Sequence, residues 1–183
     1  MLSGEYDRGI FNMILTGLSI EALIGDGDIL VEPFVKENIT TNSYDLTLGK
    51  TFIRYKGDVI DPKFENEYDT INADENGIIM NKGDFLLAHS QEKIGSSKFV
   101  PIIHAKSGIA RLGLFVHVTA DLIDIGSYGC VTFQLYSTLP IRLYPGMRIG
   151  QVSFWKPMGE VSLYHGKYQG SVGPTPSKVY QDF

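Results

Sequence analysis

The chain has 183 residues, 43% of them hydrophobic and 20% charged, a globular composition that excludes a disordered chain or a collagenous or coiled-coil rod and suits one domain burying its own core. Its 16 Lys+Arg against 21 Asp+Glu give a net charge of −5, which argues against a general nucleic-acid binder but leaves room for a small anion held by a few placed cations and a divalent metal. The single Cys130 excludes an internal disulfide, no charged-then-apolar leader opens the chain, and no apolar run is long enough to span a bilayer, so a cytosolic protein without a membrane segment is expected.

In chain order, Ile10, Phe11, Ile14, Leu15, Leu18 and Leu23 recur at helical spacing, and Ser19 ahead of Glu21 and Ala22 predicts the start of a second short helix. After Gly25-Asp26-Gly27 the pattern changes to short runs rich in Val, Ile, Phe, Tyr and Thr between turn residues. Strands are predicted over residues 29–31, 43–48, 51–55, 78–80, 85–89, 114–120, 129–137, 141–143 and 149–155. Residues 61–76 are charged and weakly apolar and read as an exposed loop, and residues 166–183 read as a tail that orders on binding a ligand or stays a frayed end. Many short strands and 20 glycines indicate a mainly β fold, a barrel or sandwich rather than alternating βαβ units.

Three sites carry possible chemistry. Lys106-Ser107-Gly108-Ile109-Ala110-Arg111 combines two cations, a hydroxyl and the free amides of a short predicted helix, the groups that phosphate oxygens need, although a plain capped helix with solvated cations has the same pattern. Asp124, between Ile123 and Ile125 and ahead of a glycine-rich turn, either activates a water or binds a metal, or hydrogen-bonds the turn behind it. Gln134 interrupts an apolar strand and either faces outward or offers its amide to the edge of a base. The histidines at 89, 104, 117 and 165 show no metal-ligand spacing, so no histidine metal site is expected, and His117 reads as a satisfied core group.

In this order the segments resemble the dCTP deaminase and trimeric dUTPase family. Ser43-Tyr44-Asp45-Leu46 with Leu48-Gly49 resembles its first motif and Lys106 to Leu114 its second. His117-Val118-Thr119-Ala120, with Ile123-Asp124-Ile125-Gly126 and Gly129-Cys130, resembles the third. Pro145-Gly146-Met147-Arg148-Ile149-Gly150-Gln151 resembles the fourth, and Lys167-Tyr168-Gln169-Gly170 with Gly173-Pro174 and Ser177 the closing tail. The tail and the His-Val-Thr-Ala segment are closer to the deaminase branch.

The resemblance implies a dUTPase-like distorted β-barrel over residues 18–165, an N-terminal extension over 1–17 and an active-site tail over 166–183. It also implies a homotrimer with active sites shared between neighbouring subunits. A deoxypyrimidine nucleoside triphosphate with Mg2+ would sit on Ser107, Gly108 and Arg111, helped by Lys106, Gln151, Tyr164, Lys167 and Gln169. The sugar and base would lie against Ala120, Asp121, Asp124 and the strand bearing Gln134. Lysine at 106 departs from the usual arginine, keeping charge but losing bidentate geometry. Gln134 stands where the family's deaminases carry a glutamate that activates water at C4 of cytosine, and an amide has no proton-transfer pKa near neutrality. Asp124 matches the aspartate that in dUTPases activates the water attacking the α-phosphorus.

The expected activity is therefore Mg2+-dependent hydrolysis of dUTP, and of dCTP as a further substrate, to the monophosphate and pyrophosphate, with Asp124, Arg111 and Ser107 in catalysis. The alternatives are dCTP deamination, with an acid such as Asp121 replacing the missing base, and a catalytically silent nucleotide-binding regulator. In the last case the stripe of Ile10, Phe11, Ile14 and Leu15 would meet a protein partner.

Overall fold

The computed structural model describes residues 13–117 and 119–183. Thr16 opens helix α1 (Gly17–Gly25), its hydroxyl oxygen accepting from the Ser19 amide at 3.4 Å, so Ser19 lies in the first turn and starts no second helix. The helical reading fails upstream as well. Ile14 bridges to Trp155 and the Leu15 amide donates to the Phe154 carbonyl at 2.9 Å. Gly17 makes this approach possible, because a Cβ there would stand 1.9 Å from the Thr40 carbonyl oxygen. Ile10 and Phe11 lie outside the described residues.

The rest of the chain is mainly β, as expected, in three sheets. The largest contains β1 (Ile29–Glu32), β3 (Thr51–Tyr55), β4 (Tyr68–Asn72), β6 (Phe85–Ser96), β8 (Leu114–Val116) and β9 (Tyr128–Ser137), in the order β4-β3-β6-β9-β8 with β1 also on β6. The second is β2 (Tyr44–Thr47), β11 (Arg148–Trp155) and β7 (Val100–Ala105), with β11 in the middle. The third pairs β5 (Ile78–Met80) with β10 (Ile141–Leu143). All pairings are antiparallel and do not close into a ring. The result is a distorted β fold. Its core carries fully buried Tyr44, Phe52, Phe133 and Phe154, each worth roughly 1.5–3 kcal/mol of burial.

Two strands, β4 and β7, arise where none was predicted, and two more, β8 and β6, depart from their predicted limits. β4 occupies the stretch read as a loop, and its mostly exposed Tyr-Asp-Thr-Ile-Asn pattern is that of an edge strand, stabilised by β3 rather than by a buried face. β7 carries Pro101, pairs with β11 on one side and is bridged on the other by residues 121–123, the Ile103 amide donating to the Asp121 carbonyl at 2.9 Å and the Ile123 amide to the Pro101 carbonyl at 3.0 Å. β8 stops at Val116 because His117 turns the chain with φ of 59°. β6 runs on past His89 through a bulge before Lys93. Within the bulge the Glu92 carboxylate is buried and accepts from the Thr47 amide at 2.9 Å and the Thr47 hydroxyl at 2.7 Å. Burial pushes its pKa up, against the pull of those donors.

Among the described residues, no helix is long and apolar enough to cross a membrane.

Candidate active site at the β8–β9 rim

β9 places Gln134 opposite Leu87 of β6 on one side, while on the other the His117 amide donates to the Gln134 carbonyl at 3.1 Å. These two residues stand side by side on the wall of a cavity of about 510 Å3, which Ala120 and Asp124 also line. Both carry a buried side-chain atom without a hydrogen-bond partner, Nδ1 of His117 and Oε1 of Gln134. His117 is 8% exposed, sits edge-on to Phe133 at 6.3 Å and 89°, and holds a left-handed backbone that non-glycine residues rarely adopt. Burial keeps its imidazole below the ordinary histidine range, with main-chain groups of Ala120 and Thr132 and the Asp121 carboxylate pulling the other way. The ring is therefore neutral near pH 7. His117 is buried as a core group, although its Nδ1 lacks a partner. Gln134 likewise is neither outward-facing nor fully paired.

The far wall of the cavity comes from Tyr164 and from the tail beyond it, which contributes Tyr168 and Thr175. Expected to stay loose until a ligand binds, the tail is instead seated by main-chain bonds. The Gly170 amide donates to the Tyr128 carbonyl at 2.8 Å, the Cys130 amide to the Ser171 carbonyl at 2.9 Å, and the Tyr164 amide to the Ile125 carbonyl at 2.8 Å. The Thr175 amide reaches the Thr132 hydroxyl at 3.0 Å and the Ser177 amide the Tyr55 hydroxyl at 2.7 Å. Gly129 admits this approach, since a Cβ there would lie 2.7 Å from the Ser171 amide nitrogen.

Of the expected site residues, Ala120, Asp124, Gln134 and Tyr164 share this cavity. Asp124 is exposed and closes its turn with its main-chain oxygen, which accepts from the Ser127 amide at 3.1 Å. Asp121 is exposed and is not among the residues that line the cavity. Gln169 braces the rim, accepting from the Tyr128 amide and donating to the Gly126 carbonyl, each at 2.8 Å. Lys167 pairs with Asp182 at 2.6 Å.

The expected phosphate segment lies elsewhere. Ser107 and Gly108 are exposed on the short helix α2 (Ser107–Ala110), and Arg111 is its exposed C-cap. At its N-cap, Lys106 is already engaged, its ammonium 2.5 Å from a carboxylate oxygen of the buried Asp45. Gln151, on β11 opposite Asp45 of β2, accepts from the Ser43 hydroxyl at 2.9 Å and donates to the Ala105 carbonyl at 3.3 Å. None of these residues lines the cavity. Among the described residues no group of three His, Cys, Asp or Glu side chains is placed to hold a metal ion.

Sequence reasoning missed Thr132 and the role of His117. Thr132 could have been found, two residues before Gln134 on the same face of one strand. Nothing in the local sequence announces the left-handed backbone of His117.

A family model described as dCTP deaminase-like matches residues 14–157. A dCTP deaminase, dUMP-forming, from Clostridium botulinum (strain Alaska E43 / Type E3) is 41% identical over 172 residues, covering 93% of this chain and 99% of that protein. One of the same description from Cytophaga hutchinsonii is 37% identical over 172 residues, covering 93% and 99%. The crystal structure of 2'-deoxycytidine 5'-triphosphate deaminase from Agrobacterium tumefaciens shares the fold with a TM-score of 0.65 at 20% identity, over 80% of this chain and 49% of that one. With the motifs, the rim and these likenesses in agreement, the chain belongs to the dCTP deaminase-like family.

Proposed function

We propose that the chain converts dCTP to dUMP, releasing ammonia and pyrophosphate. The near-full-length likeness to dUMP-forming dCTP deaminases carries this reading and moves it ahead of the hydrolysis-only activity expected from the motifs. Two bonds must break, C4–N in the base and the α-phosphoryl bond to the pyrophosphate leaving group. Asp124, on the cavity wall, is the base for the second, taking a proton from the water that attacks the α-phosphorus as pyrophosphate leaves. The free Oε1 of Gln134 accepts from the exocyclic amino group of cytosine, and the same amide turned over donates to O4 of uracil.

Ser107, Gly108 and Arg111 bind the triphosphate with its Mg2+ in this reading, and their exposure outside the cavity supports a homotrimer in which one subunit's α2 serves its neighbour's rim. A second reading, hydrolysis of dUTP alone, is favoured by Gln134, whose amide cannot move a proton.

The test is to incubate the protein with Mg2+ and either dCTP or dUTP and to resolve ammonia, pyrophosphate and nucleotides. Ammonia with dUMP from dCTP is the expected result. Pyrophosphate without ammonia supports the second reading, and binding without either product makes the chain a nucleotide sensor. Asp124→Asn is expected to slow pyrophosphate release by about 10²–10⁴-fold while nucleotide binding persists.

A further inference from the structure

Resting on the dCTP-to-dUMP reading, we infer that His117 carries the protons at C4 of the pyrimidine, beside a Gln134 that can only hydrogen-bond. Three observations converge on this ring. It is 92% buried by the complement of its 8% exposure, yet its Nδ1 has no partner, and a buried ring nitrogen left unpaired costs free energy unless a ligand or water completes it. It holds φ of 59°, a left-handed conformation that is strained for a non-glycine residue and persists where the surroundings impose it, most often at functional sites. It lines the cavity together with Gln134, whose carbonyl accepts from its main-chain amide at 3.1 Å. Burial keeps the imidazole neutral, the form that accepts a proton.

The step balances with water alone. The water oxygen bonds to C4 while Nδ1 takes a water proton and delivers it to N3. Nδ1 then takes the proton of the new C4 hydroxyl and gives it to the amino nitrogen, which Gln134 Oε1 holds. The C4–N bond breaks, ammonia departs, C4=O forms, and His117 ends neutral as it began. The glutamate that deaminases of the family carry at position 134 would be replaced here by the residue across the strand pair.

His117→Gly tests this without straining the fold, because glycine adopts positive φ freely and leaves room for added imidazole. Ammonia release from dCTP is expected to fall by about 10²–10⁴-fold and to recover as imidazole is added. Adding Gln134→Glu to the glycine variant is expected to restore release without imidazole. Release within about threefold of the parent protein, or a fall that imidazole does not reverse in a variant that still binds dCTP by calorimetry, overturns the role of His117 alone. Absence of ammonia from the parent protein under the same conditions overturns the dCTP-to-dUMP reading and this role together.

Discussion

The β8–β9 rim and the corner where β2, β11 and β7 meet both bury polar atoms that no neighbour satisfies. In the corner the atom is Oδ1 of Asp45, on a carboxylate whose other oxygen is neutralised by Lys106 at 2.5 Å. At the rim the atoms are uncharged, on His117 and Gln134, two residues that line the cavity. An unsatisfied buried atom points to a ligand only where a ligand has room. The corner spends its polar groups on holding three strands together, and the rim keeps its groups free.

Phe133 joins the two regions, packing 3.1 Å from where a Cβ on Gly150 of the corner would be while meeting His117 at the rim. Phe133→Ala should cost about 3–5 kcal/mol in urea unfolding, the largest effect expected here. A loss below about 1 kcal/mol would mean that the ring does not couple them. Asp45→Asn leaves the Lys106 ammonium without its counter-charge, and a loss of about 1–3 kcal/mol is expected by the same measurement; no loss would show that the corner is not held by this pair.

Gly129→Val pushes a branched side chain into the Ser171 main chain and should loosen the tail while the sheets keep their unfolding midpoint. Limited proteolysis at residues 164–178 should quicken roughly tenfold, and an unchanged rate would show that the tail is held without close approach at this glycine. The smallest effect concerns Glu92. Its carboxyl pKa is raised in the folded protein, so the stability it contributes is present below the ordinary carboxylate range and is lost as pH rises through the folded value. Glu92→Gln, which preserves an acceptor for the Thr47 amide, should gain on the parent protein as pH rises from about 4 to 7. A stability difference flat across that range would contradict the raised value.

Strand positions were legible wherever apolar residues alternated between turn residues, as at residues 51–55, 78–80 and 141–143, all recovered without change. The pattern was silent where stability came from a neighbour. Tyr68–Asn72 is a strand because β3 pairs with it, and Val100–Ala105 because β11 does. The candidate site was legible as residue types, with Asp124, Ala120, Gln134 and Tyr164 meeting on one cavity. Engagement was not. Lys106 and Lys167 find carboxylates distant in sequence, Asp45 and Asp182, and Gln169 turns to the rim's main chain. The importance of His117 depends on a backbone angle and a missing partner, neither of which one letter encodes.

The tail and the Tyr164 just before it are attached chiefly through main-chain amides, at Tyr164, Gly170, Thr175 and Ser177. Such bonds are indifferent to which side chains the tail bears. A substitution at Thr175, whose main-chain amide makes the bond, can thus remodel one wall of the cavity while the anchoring persists.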